Sequence, residues 1–139
     1  RAESNARLNG LDGRLATRCG DAGELLRAAC DAGERYDLVV LDPPALIKRR
    51  RDQKAGEAAY RRLNQLAMRL LDGDGILVSA SCSMHLDEAT LIGIVRDAAQ
   101  RSNRLLQIFA VGGQGPDHPL HPAIAETRYL KALFCRVLS

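Results

Sequence analysis

A run of apolar β-formers that stops at a carboxylate followed by two prolines, Tyr36-Asp37-Leu38-Val39-Val40-Leu41-Asp42-Pro43-Pro44, constrains this chain more than any other stretch. Consecutive apolar residues without polar alternation predict a strand buried on both faces, as in a parallel sheet. Proline has no amide hydrogen with which to continue the pairing, so the chain must leave the sheet at Pro43 in a stiff, extended turn. Asp42 is thereby presented at the carboxyl edge of the strand, where open α/β sheets hold their ligands.

The flanking sequence alternates between strand and helix patterns. Arg1–Gly10 has helical composition and an Asn9-Gly10 stop but neither an initiating Met nor an N-cap, so it reads as the last turns of a longer helix. Leu15–Gly20 is expected to be a short strand. Asp21 follows at a strand-to-helix junction, either as the cap of the helix continued by Glu24–Ala32 or as a ligand contact besides. Beyond Asp42, Lys48, Arg49, Arg50, Arg51 and Lys54 place five cations within seven positions. Such a run is either a solvated loop or a contact for RNA phosphates.

Ala58–Leu71 carries Leu63, Leu66, Ala67, Leu70 and Leu71 at helical spacing, and Asp72-Gly73-Asp74-Gly75 is expected to end that helix. Gly75–Ala80 reads as a second buried strand, terminating in Ser81-Cys82-Ser83. A helix over Leu86–Ala99 follows, then a strand over Arg104–Val111, a Gly- and Pro-rich loop over Gly112–Pro122, and a closing strand over Tyr129–Leu138. This order predicts an α/β domain whose sheet is mostly parallel, with an antiparallel edge hairpin.

The length of 139 residues suits one compact domain, and the net charge of +3 is only a mild basic excess. No apolar run approaches the ~18 residues of a membrane span, and no signal peptide is visible. A soluble, cytoplasmic protein without a membrane partner is expected. Cys19, Cys30, Cys82 and Cys135 are widely separated, so the spacing indicates neither a metal site nor a disulfide framework. Cys19 and Cys135 fall inside strand patterns and Cys30 inside a helix. Only Cys82 is expected at the edge shared with Asp21 and Asp42. A thiol and a carboxylate at adjacent strand ends are the parts of covalent catalysis, although a cysteine there is also a common small buried residue.

Taken in order, NARLNGL, CGDAGELL, YDLVVLDPPAL, AYRRLNQLAMRLLDGDGIL, SASCS and DHPLHPAIAETRYLKALFCRV resemble the carboxyl-terminal catalytic half of bacterial 23S ribosomal RNA cytosine methyltransferases. The resemblance covers essentially the whole chain. The Asp-Pro-Pro motif alone is shared with amino-group methyltransferases. Followed by Ser-Cys-Ser at the next strand end, it is much more specific. The resemblance implies a Rossmann-like class I fold, S-adenosylmethionine as cofactor and ribosomal RNA as partner. It assigns Cys82 to attack on cytosine carbon 6, and Asp42 to the ring N3 or exocyclic amine. Asp21, Ala22, Asp42 and Pro43 would contact the cofactor. Pro44, Ala45, Lys48, Arg49, Arg50 and Arg51 would face the RNA. The base that removes the carbon-5 proton is not assigned.

The chain departs from that pattern in lacking the glycine-rich cofactor loop, the acidic ribose-binding residue and an amino-terminal PUA domain. It is therefore expected to be a partial methyltransferase domain over residues 1–139. If Leu15–Gly20 is the family's third strand and Tyr36–Leu41 its fourth, the strands normally between them are missing, a gap of roughly 15 Å at ~4.8 Å per strand. A rearranged sheet, a homodimer or a strand-complemented oligomer is expected. Two other functions fit less of the pattern: an amino-group methyltransferase using Asp42-Pro43-Pro44 with a structural Cys82, and a noncatalytic RNA-binding module.

Overall fold

The computed structural model describes residues 1–139. Its elements are α1 (Ala2–Leu8), α2 (Ala22–Asp31), β1 (Tyr36–Leu41), α3 (Gln53–Leu70), β2 (Leu71–Ser81), α4 (Glu88–Arg101), β3 (Leu105–Gly112) and β4 (Lys131–Leu138). Short 3-10 turns occupy Arg50–Asp52 and Ala125–Thr127. The four strands form one sheet in the order β1-β2-β4-β3. β1 and β2 are parallel, while β4 runs against both β2 and β3, so three of the four strands point the same way.

Alternation along the strands decides which side is covered. Leu77 of β2 and Leu133, Cys135 and Val137 of β4 are fully buried beneath Leu63, Ala67 and Met68 of α3 and Leu91, Val95 and Ala98 of α4. Successive side chains point to opposite faces, and the opposite face carries no helix. Leu38, Val40 and Phe109 there are 53%, 57% and 59% exposed. β1 is thus not buried on both faces as its composition predicts. The covering layer lies on one side only, and β1 is moreover an edge strand.

Three further expectations are corrected. Leu15–Gly20 forms no strand and is exposed throughout, Cys19 included. It lines an open, mainly apolar groove of about 780 Å³ together with β1 and is not paired with it, and Arg18 is tied to Glu34 just before β1 by a 2.9 Å ion pair. The Asp72–Gly75 segment does not separate α3 from β2. Leu71 already pairs with Tyr36, and the register then jumps so that Leu38 meets Ile76, leaving residues 72–75 as an excursion from the ladder. The Arg104 guanidinium holds this excursion, donating to the carbonyls of Leu71, Asp72 and Gly73 and, across the sheet, to those of Val137 and Leu138. The helix also starts earlier than its apolar stripe indicates, so Lys54 belongs to α3 rather than to a loop.

The start of α3 positions the turn that follows Pro44. Gly56 is buried, and a Cβ there would lie 2.3 Å from Ile47 Cγ1 and 2.9 Å from the Leu46 carbonyl oxygen. Replacing Gly56 by Ala should therefore destabilise the fold by about 1–3 kcal/mol through overpacking, although Ala is intrinsically the better helix former by ~1 kcal/mol. Urea unfolding checks the sign, and a stabilised variant would show that the Leu46–Ile47 turn is not fixed against α3.

Candidate functional site

Because β1 and β2 are parallel, both end at the same edge of the sheet, with Asp42 immediately after one and Cys82 immediately after the other. Asp42 is exposed and makes no side-chain hydrogen bond within the chain, leaving its oxygens free for a ligand. Pro43 and Ala45 are half-buried beside it and Pro44 is exposed. The chain then turns inward, and Ile47 is 2% exposed.

The turn that carries Cys82 is built from the two serines beside it. Ser81 Oγ donates to the Tyr60 hydroxyl at 2.8 Å, which lies 2.9 Å from Ser83 Oγ. The Ser83 amide donates to Ser81 Oγ at 3.1 Å, and the Ile47 amide donates to Ser83 Oγ at 3.3 Å. Tyr60, Ser81 and Ser83 are at most 1% exposed. Buried hydroxyls are costly unless satisfied, and once satisfied they hold a single geometry. The network ties the turn after β1, the middle of α3 and the end of β2 into one unit, with the half-buried Cys82 between the serines.

Lys131 closes this unit from the other side. It stands opposite Ser81 in the β2–β4 register, is 7% exposed, and donates from Nζ to the Ser83 carbonyl at 2.7 Å. Burial holds its ammonium below the usual lysine range, while Cys82 and Asp87 act in the opposite direction. Asp87 caps α4 by accepting from the Thr90 amide at 2.7 Å, and its carboxyl is held below the usual aspartate range by the Thr90 side chain first, then by that amide, with Lys131 nearby adding to the effect. Sequence patterning gave no sign of Tyr60 or of the role of the two serines. For Lys131 a signal was visible, a cation in phase with the inward positions Leu133, Cys135 and Val137.

The remaining sequence-predicted residues divide into two groups. Arg50 shares a shallow groove with Gln53, Met84, His85 and Asp87, so the cationic turn reaches the segment just after Cys82. Lys48, Arg49 and Arg51 are exposed near it, Arg51 with a loose 3.8 Å pairing to Asp52. Asp21 stands apart, as the N-cap of α2, accepting from the Glu24 amide at 3.0 Å, with Ala22 exposed after it. The other cysteines are set apart by environment. Cys135 is buried and its thiol is pushed up to about 11, Cys30 donates to the Leu66 carbonyl at 3.5 Å, and Cys19 is exposed and makes no side-chain hydrogen bond.

Comparison with known proteins points in one direction. The chain is 35% identical over 138 residues to ribosomal RNA large subunit methyltransferase I of Erwinia tasmaniensis, 36% over 140 residues to that of Vibrio cholerae and 37% over 136 residues to that of Aeromonas salmonicida. These alignments cover 97–99% of the chain, which spans about a third of the length of each relative (34–35%). No family model matches it. Among solved structures, a candidate SAM-dependent methyltransferase from Streptococcus mutans superimposes with a TM-score of 0.79 at 13% identity, and Trm5b from Pyrococcus abyssi with 0.63 at 12%. They are matched over 96% and 99% of this chain and 34% of their own. At such low identity the likeness is one of fold, and the mixed α/β sheet is that of these methyltransferase structures.

Two measurements test the site's construction. Tyr60→Phe removes the hydroxyl shared by both serines and should cost about 1–3 kcal/mol in urea unfolding, whereas a loss below ~0.5 kcal/mol would mean the network does not hold the turn. Iodoacetamide labelling at pH 8, followed by peptide mass spectrometry, should modify Cys19 and Cys82 well before Cys135, whose thiol is both shielded and protonated there.

Proposed function

We propose that this chain forms the base-activating side of an RNA methyltransferase, which moves a methyl group from S-adenosylmethionine to carbon 5 of a cytosine in large-subunit ribosomal RNA. The observation that carries this reading is Cys82, half-buried on a turn locked by Ser81, Ser83, Tyr60 and Lys131, at the edge where the free carboxylate of Asp42 also stands. The name of the relatives, ribosomal RNA large subunit methyltransferase, supports the substrate class.

Carbon 5 of cytosine is a weak nucleophile. Addition of the Cys82 thiolate to carbon 6 moves the ring's double-bond electrons to carbon 5, which can then form a bond to an electrophilic methyl group. Asp42 accepts a hydrogen bond from the exocyclic amine, or shares a proton with N3, and so holds the charge that develops on the ring during addition. Loss of the carbon-5 proton to a base restores the double bond and expels Cys82 as a thiolate. The target must leave its stack to reach this edge, which favours single-stranded or loop RNA. Arg50, with Lys48, Arg49 and Arg51 beside it, would hold the phosphates of that strand.

S-adenosylmethionine, when bound, supplies the methyl group on a sulfonium. The residues here fit its adenine end: Asp21 has one carboxylate oxygen not engaged by the cap, Ala22 is exposed next to it, and Pro43 offers a flat half-buried wall near Asp42. An amino-group methyltransferase using Asp42-Pro43-Pro44 is the second reading, favoured by the absence of any internal partner for Asp42. The unpaired edge of β1 and the apolar groove beside it are where a second copy or another strand would add.

In a methylation-competent protein containing these residues, Cys82→Ala should lower cytosine methylation by about a thousandfold or more. Retained activity would instead favour the amino-group reading. Neutralising Lys48, Arg49, Arg50 and Arg51 should flatten the salt dependence of RNA binding by about 0.7 in slope for each phosphate no longer neutralised, and an unchanged slope would remove the run from the interface. Calorimetry on the 139-residue chain should find weak or no S-adenosylmethionine binding, and a sub-micromolar affinity would show that the adenine-end residues are not the only contacts it offers.

A further inference from the structure

A second concave site lies on the far side of Cys82 from Asp42. It is a cavity of about 510 Å³ between the start of α4, the end of β3 and the start of β4, within the size range of small-molecule sites. Met84, Leu120 and Leu130 contribute apolar lining, and Met84 and Leu120 are 53% and 49% exposed. Its charged lining mixes signs, Arg128 and Lys131 with Asp87 and Glu88. None of these four is in an ion pair within 4 Å, and Lys131 spends only one ammonium hydrogen, on the Ser83 carbonyl.

We propose that this cavity binds an unstacked nucleobase of single-stranded RNA, the neighbour of the nucleotide that reaches Cys82. The inference rests on the RNA-methyltransferase reading above and deepens it. Two cations balanced by two carboxylates do not make a phosphate site, because an anion would meet Asp87 and Glu88. A base is uncharged, flat and apolar on its faces, and carries donors and acceptors side by side on its edge, which matches a lining of apolar side chains interspersed with groups of both signs. Cys82 does not line the cavity. The target base must touch that thiol, so the cavity takes a different one. Lys131 joins the two sites, holding the Ser83 carbonyl of the Cys82 turn with one hydrogen and leaving two for the ligand.

Amide NMR of the 139-residue chain, titrated with a cytidine-containing single-stranded tetraribonucleotide, tests this. Shifts should appear at Gly112, Gly113 and Leu130 as well as around residues 42–51 and 82–85. Leu120→Asp and Glu88→Ala change exposed side chains and should each weaken binding by about tenfold with an unchanged circular dichroism spectrum. An oligonucleotide abasic at the flanking position should lose the same amount on the unaltered chain and little more on either variant. Shifts confined to the two turns, with both variants binding within about twofold of the parent, would overturn the inference while leaving the RNA reading intact. Inorganic phosphate shifting the same cavity amides would also overturn it, in favour of an anion site. Shifts at neither place at millimolar RNA would overturn both.

Discussion

The hydroxyl of Tyr60 is the point on which the functional edge depends. It binds Ser81 and Ser83 together from the middle of α3, and through Ser83 it reaches the Ile47 amide in the turn after β1. Every polar atom of that cluster is buried, so leaving one unpaired would carry the full cost of desolvation. Such a cluster tolerates few arrangements. It converts two flexible strand ends into one rigid edge, with Cys82 and Asp42 presented outward from it.

The network also explains why a lysine lies in the core. Lys131 occupies an inward position of β4, where a leucine would bury more favourably, yet its ammonium adds a second bond to the Ser83 carbonyl, which also accepts from the Leu86 amide. Burial lowers its pKa, and the nearby Asp87 carboxylate and Cys82 offset part of that cost. The result is a positive charge held beside the thiol and facing the neighbouring cavity. Charge at this edge is therefore graded, from the solvated cations of the Lys48–Arg51 turn to a single desolvated ammonium within.

The sheet is asymmetric in a way that bears on assembly. Its helix-covered face holds nearly all the core, whereas its other face and the outer edge of β1 leave Leu38, Val40 and Phe109 in water. Exposed apolar surface of this kind, next to an unpaired strand edge, is where the proposed second copy or further strand would add. The stability of the functional edge does not rely on that surface, because Tyr60, Lys131 and the serines all lie on the covered side.

The order and type of most elements were legible in the sequence, because the periodicity of apolar residues reports local geometry: the stripe Leu63–Leu71, the Asp21 cap, and the strand ends at Asp42 and Cys82 were all visible there. The sequence misjudged Leu15–Gly20 and the burial of β1, since a strand exists only if a neighbour pairs with it and a face is buried only if a layer covers it. Neither condition is local. It also left Ser81 and Ser83 as mere company for Cys82. Tertiary structure alone brought Tyr60, from 21 residues before Ser81, and Lys131, from 48 residues after Ser83, onto that turn. Hydrogen bonds between elements distant in the chain leave no periodic trace, and it is those bonds that make an ordinary strand end a candidate active site.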